Sequence, residues 1–148
     1  MKKIIIILAL LFAFGCKSIY ERAPQMRSFG CELPTKDFLE KVAGLSQLEG
    51  FFVAELDTNN NNCLLVLQKN ITIKGSGDSR EIVADQIRIR YAQMDKTVWY
   101  STGIFKSYKG KTSFAPPPAD DQQRHNNSVN LTLDRLFMQC NPGKKLNR

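Results

Sequence analysis

The side chains able to do covalent or acid–base chemistry are few. The cysteines are Cys16, Cys31, Cys63 and Cys140, and His125 is the sole histidine. None of the cysteines has CxxC spacing, which argues against a dithiol redox motif or a structural zinc site. A catalytic thiol at Cys31 needs a base beside it, and His125 sits in a polar stretch far along the chain. Glu81 and Asp85 are carboxylates that a glycosidic mechanism could use in pairs. With Arg80, Arg88 and Arg90 around them, they read instead as a solvated strand face laced with salt bridges. Asp57–Asn61 matches the first half of a calcium loop. The sixth position is Asn62 where glycine is expected and the twelfth is Gln68 where a bidentate glutamate is expected, so the segment reads as a hairpin turn. Serine triads, phosphate loops and zinc-protease helices have no counterpart. The expectation is a non-enzyme with no metal and no cofactor.

A second constellation is suited to binding. Lys96, Lys106, Lys109 and Lys111 interleave with Trp99, Tyr100, Phe105 and Tyr108. Alternation alone produces this mixture when core aromatics share a strand with edge lysines. The same mixture is what a single-stranded nucleic-acid surface uses, and it also suits envelope polymers or an acidic protein. The binding-surface candidates are Trp99, Tyr100, Tyr108, Lys109 and Lys111, joined by Arg124 and His125 from the polar stretch 116–128.

The elements that must position these residues follow from periodicity. The chain has 148 residues, 43% hydrophobic and 24% charged, which suits one packed domain and excludes wholesale disorder. Phe38, Leu39, Val42 and Leu45 fall at helical spacing after Pro34-Thr35, with Thr35 a plausible N-cap, and Gly50 ends the segment. From residue 51 the texture is β. Strands are predicted around 51–56, 63–74, 87–92, 96–106 and 112–115, with turns at 57–62, 75–78 and 108–111. Residues 116–128 are predicted as a polar loop. In the last segment Val129, Leu131 and Leu133 alternate as a strand, whereas Leu133, Leu136, Phe137 and Cys140 fit a helical face. The β-rich neighbourhood favours a strand with a bulge near Arg135. The predicted fold is α+β and mostly β: one N-terminal helix packed on an antiparallel meander or small barrel of about six strands.

Residues 1–16 have the anatomy of an export signal. Lys2 and Lys3 precede an eleven-residue apolar run, Ile4–Phe14, too short to span a bilayer as a stable helix. Ala13-Phe14-Gly15-Cys16 resembles the lipobox of bacterial lipoproteins, with Ala13 where leucine is usual. That resemblance implies that Cys16 is acylated and becomes the first residue after cleavage. It further implies, with Lys17 and no aspartate following, an outer-membrane destination. The expected organisation is a signal peptide over 1–15, a lipid-anchored tether over 16–30 and one domain over 31–148. Losing Lys2 and Lys3 leaves 19 basic residues against 14 acidic ones, a net charge of +5.

With Cys16 lipidated, three cysteines remain in an oxidising compartment, which suggests one disulfide and one buried thiol. Cys31–Cys140 would tie the two ends of the domain together. Cys63–Cys140 and Cys31–Cys63 are also compatible with the spacing. Leu48-Glu49-Gly50-Phe51-Phe52, following a helix, is similar to the first-strand entry of lipocalin-like barrels, with Phe52 in place of tryptophan. The expected function is a non-catalytic, membrane-anchored protein-binding module of the envelope, such as an assembly component, inhibitor or immunity factor. The partner would be an envelope protein and not a nucleic acid. The alternative is a lipocalin-like carrier of an apolar ligand, held by inward-facing Leu65, Leu67, Ile71, Ile89 and Phe105.

Overall fold

The computed structural model of the chain describes residues 23–59 and 61–144. The expected signal peptide, the expected lipidation site Cys16 and most of the expected tether lie outside the described residues. In chain order the elements are β1 (Arg27–Gly30), α1 (Thr35–Glu49), β2 (Phe52–Asn59), β3 (Asn62–Lys74), a short 3₁₀ turn (Gly77–Ser79), β4 (Glu81–Ala92), β5 (Thr97–Tyr108), β6 (Lys111–Ala115) and α2 (Gln122–Cys140). All six strands form one antiparallel sheet in the order β1-β5-β4-β3-β2, with β6 also pairing β5. β1 takes residues Thr97–Tyr100 of β5 and β6 takes Ile104–Tyr108, so the two share one edge.

Mostly β with a helix is therefore the architecture, and the sheet is open. The barrel expectation fails because β2 at one edge does not pair with β1 or β6 at the other. Gly50 ends α1 as its position after the helical pattern predicts, in the left-handed region at φ 72°. The amide of Phe51 then donates to Ser46 O at 2.8 Å. At the other end of α1, Thr35 is the first helical residue and not the cap. Its amide and hydroxyl both donate to Gln93 Oε1 at 2.8 Å, so a side chain from the β4–β5 turn satisfies the helix start.

Both helices cover one face of the sheet. Phe38, Val42 and Leu45 of α1 join Val129, Leu133 and Leu136 of α2 over Leu65, Leu67, Ile87, Ile89, Tyr91 and Val98. Tyr91 is fully buried, stacks on Phe38 at 4.4 Å between centroids and donates its hydroxyl to Leu33 O. Arg135 of α2 pairs with Glu49 of α1.

Three further expectations are corrected. Residues 129–140 are helical, and the helix begins at Gln122, so the polar loop shrinks to 116–121. The buried positions of α2 are His125, Val129, Thr132, Leu133 and Leu136, a helical stripe, while Leu131 is 47% exposed. Tertiary burial of that stripe outweighs the local alternation. Arg27–Gly30, assigned to the tether, adds β1 to the sheet edge and buries Phe29 against Tyr100 and Phe137. The sulfurs of Cys31 and Cys140 lie 2.09 Å apart, a disulfide joining the chain before α1 to the end of α2. Cys63 is a buried free thiol.

Candidate functional site

The singled-out residues fall into four places. Trp99 lies on the face of the sheet opposite the helices, because in β5 Val98 and Tyr100 point toward them. Tyr100 is 5% exposed and packs in the core, not on the open face with Trp99. Tyr108, Lys109 and Lys111 sit at the β5–β6 turn, where Lys109 and Gly110 both have positive φ, at 48° and 73°. Those values make the two-residue turn that suits a right-twisted hairpin. Arg124 and His125 lie in the first turns of α2, and His125 is completely buried, which removes it from any surface.

What Arg124 and His125 do is hold Asp85. The register of β4 places Asp85 on the helix-covered face with Ile87 and Ile89, while Arg88 and Arg90 point the other way. The expected solvated carboxylate beside those arginines is thus a buried one, 1% exposed. His125 Nδ1 donates to Asp85 Oδ1 at 2.7 Å, and Arg124 donates to its two oxygens at 2.7 and 3.1 Å. Asn70 Nδ2 donates to Oδ2 at 2.6 Å and also contacts Ser128 Oγ at 3.0 Å. Asn70 reaches inward because β3 bulges between Lys69 and Thr72, with Asn70 in the left-handed region at φ 54°. Burial alone would raise the pKa of Asp85, but the donors from His125, Arg124 and Asn70 outweigh it and hold the carboxyl well below the usual range. Arg124 is held charged, first by Asp121 and then by Asp85. Every oxygen of Asp85 is engaged by protein donors, so the cluster binds α2 to the sheet. His125 Nε2 and Thr132 Oγ1 are buried without a partner among the described residues.

The helix-free face is built differently. Arg88 stacks over Phe114 at 4.1 Å from the ring centroid, and Arg90 lies 5.7 Å from that of Trp99. Gln86, 1% exposed, meets the Gln68 amide at 2.8 Å, and Arg88 Nε lies 2.8 Å from its other terminal atom, the oxygen that accepts from the guanidinium. Toward β2 the face carries Leu64, 38% exposed, and Phe52, 61% exposed, bordered by Glu55 and Asp57. Large aromatics topped by arginines, left uncovered by any helix among the described residues, are the residue types that dominate protein interfaces.

At the notch between β1 and β6, where Ser101–Gly103 of β5 lacks a strand neighbour on that edge, a cleft of about 400 Å³ opens under α2. Arg27, Thr102, Gln122 and Asn126 make its lining polar. The turn expected over 57–62 is shorter: Asp57, Thr58 and Asn59 belong to β2, β3 begins at Asn62, and Asn59 Oδ1 accepts from the amides of Asn61 and Asn62 at 3.2 and 2.9 Å. No group of His, Cys, Asp or Glu among the described residues could hold a metal ion. No helix among them is long and apolar enough to cross a membrane. Burial pushes the Cys63 thiol up to about 11, so it is no nucleophile in the fold.

No protein-family model matches the chain, and no curated protein matches it in sequence.

The uncovered face escaped sequence reasoning in part. Trp99 was singled out, but Arg88, Arg90 and Phe114 were not joined to it. The available signal was the period-two pattern Arg88, Arg90 against Ile87, Ile89, which puts both arginines on one face. Phe114 comes from a separate strand, and only the β5–β6 register brings it there. The Asp85 cluster carried no local signal, since Asn70, Asp85 and Arg124 are far apart in sequence.

Proposed function

We propose that this chain is a non-catalytic lipoprotein of the bacterial envelope, anchored in the outer membrane through Cys16, whose domain binds a protein partner through the uncovered sheet face. The observation that carries the reading is the pairing of Arg88 with Phe114 and Arg90 with Trp99 on a face that no helix covers among the described residues. Such an arginine keeps its charge available while its planar group is braced by the ring. The partner's matching surface carries carboxylates, which complements these arginines and the chain's net charge of +5 after signal removal. Assembly component, inhibitor and immunity factor are the roles this supports. The non-catalytic reading is supported by the way Arg124 and His125 commit their donors to Asp85.

The carrier alternative has less support. Leu65, Leu67 and Ile89 are buried beneath the helices, Ile71 is 44% exposed, and Phe105 pairs with Phe114 on the other face. The cleft under α2 is polar.

The test is capture from detergent-solubilised envelopes with Trp99→Ala and Arg90→Glu variants beside the wild type. Each substitution is expected to cut recovery of the specific partner at least tenfold while the melting temperature stays close to that of wild type. Undiminished recovery with both variants would remove the face from the reading. Intact mass of the membrane-extracted chain tests the anchor separately, with a start at Cys16 plus acyl mass as the expected result.

A further inference from the structure

The end of the sheet formed by the β3–β4 and β5–β6 turns concentrates positive charge. Lys74, Glu81, Tyr108 and Lys111 stand in one row across β3, β4, β5 and β6 by register. Neighbouring strands are about 4.8 Å apart, so the row is about 14 Å wide. Arg80 precedes the row, Lys109 forms the β5–β6 turn, and Lys106 lies two residue pairs behind the row. Asp78 and Glu81 are the acidic residues of these turns and this row, and none of the five cations makes an ion pair among the described residues. Lys74, Arg80, Lys106, Lys109 and Lys111 are all exposed. Ile73 and Tyr108 add apolar surface there, at 56% and 47% exposure. The hairpin tips at the other end carry Asp57, Asp95 and Lys96.

The course of the chain relates this end to the anchor. β1 runs antiparallel to β5, so tracing backward from Arg27 leads toward the β5–β6 turn. Pro24 already lies beside Gly103, its Cγ 3.0 Å from where a Cβ would stand. From Gly103 to Tyr108 is about 17 Å at about 3.3 Å per residue. The segment between Cys16 and Pro24 can extend about 25 Å at roughly 3.5 Å per residue. A lipid on Cys16 therefore reaches the plane of the basic tip in the direction the chain already takes.

We infer that the β3–β4 and β5–β6 tips form a membrane-docking surface that binds the anionic phospholipid headgroups of the bilayer holding the Cys16 lipid. Lys and Arg contribute electrostatic attraction near a negatively charged leaflet, while Tyr108 is suited to the headgroup region. Docking in this way stands the strands upright on the membrane and leaves the Arg88–Trp99 face open to the side. The inference rests on the anchor at Cys16 for its geometry, but the tip's affinity for lipid can be measured without it.

The experiment uses the chain from residue 16 to the end, exported behind a cleavable signal with Cys16→Ser so that no acyl group is added. Co-sedimentation is measured with vesicles of equal parts phosphatidylglycerol and phosphatidylcholine, and with phosphatidylcholine alone. Binding is expected only to the anionic vesicles. It should fall at least tenfold when salt rises from about 50 mM to about 500 mM, as the screening length shortens. The double variant Lys109→Glu/Lys111→Glu should weaken it at least tenfold, and Lys144→Glu, past the end of α2, should leave it unchanged. Absence of binding at low salt overturns the inference, as does binding that the double variant does not weaken. Retention on polyglutamate without binding to the vesicles also overturns it and marks the tip as a site for acidic protein. If the wild-type chain carries no acyl mass, the anchor reading falls while the vesicle result still reports on the tip.

Discussion

Asp85 is buried, and donors from His125, Arg124 and Asn70 favour its ionised carboxylate, which makes the fold pH-dependent in a definite direction. Its folded-state pKa is depressed, so the stabilisation is fully present above the unfolded value of about 3.9 and is lost as pH falls through the lower folded value. The urea midpoint should hold from neutrality to about pH 5 and drop steeply below about pH 4. Asp85→Asn should flatten that drop; parallel profiles for the two proteins would refute this account. Asp85→Ala leaves His125 and Asn70 without their acceptor, and breaking a buried pair of this kind costs about 3–5 kcal/mol. Arg124 is half exposed, so solvent screens its share and most of the loss comes from the other donors. At Cys63, burial predicts a thiol that alkylating reagents modify only after denaturation. Modification of the native protein at the rate of a free thiol would contradict its placement.

At the scale of elements, α2 shows where local pattern and tertiary packing disagree. In a strand, Leu131 and Leu133 would share a face. In α2 they are two residues apart on a helix, one 47% exposed and the other 2% exposed. Leu133→Ala should therefore cost about 2–5 kcal/mol. Leu131→Ala should cost within about 0.5 kcal/mol. Equal losses in urea denaturation would restore the strand. The β5–β6 ladder has its own sensitive point at Gly103. A Cβ there would stand 2.5 Å from Ala115 O and 2.9 Å from Phe114 Cε2. Because the first of these is backbone, Gly103→Ala should displace β6 and cost about 1–3 kcal/mol, visible as a lowered melting temperature.

For the whole molecule the Cys31–Cys140 bond closes a loop with a sequence separation of 109. Chain-entropy reasoning assigns a loop of that length about 4–5 kcal/mol, and losses on removing native disulfides run at about 2–5 kcal/mol. Reductant should therefore lower the melting temperature by many degrees, and Cys31→Ser/Cys140→Ser should do so without reductant. An unchanged melting temperature in both cases would show that the two ends hold together by packing alone. The bond also secures the C-terminal end of α2 beside β1, while Asp85 secures its N-terminal end. The helix is pinned at both ends across the β1–β5–β4 half of the sheet.

Much of the layout is written in local pattern. Phe38, Val42 and Leu45 specify α1 by spacing, and the alternation of Ile87, Ile89 and Tyr91 with Arg88 and Arg90 specifies β4 and both its faces. Asn59 and Gly110 mark turns through their own backbone preferences. These features depend on residues a few positions apart, so a linear reading captures them. The helical state of 122–140, the strand at Arg27–Gly30, the open edge at β2 and the Asp85 cluster depend on groups brought together from distant parts of the chain. Val129 and Leu133 become helical because the sheet offers their stripe a surface to cover. Asp85 is buried because a bulge delivers Asn70 and a helix delivers Arg124 and His125 to the same point. Burial energy and long-range pairing made those choices, and neither is encoded in the spacing of neighbours.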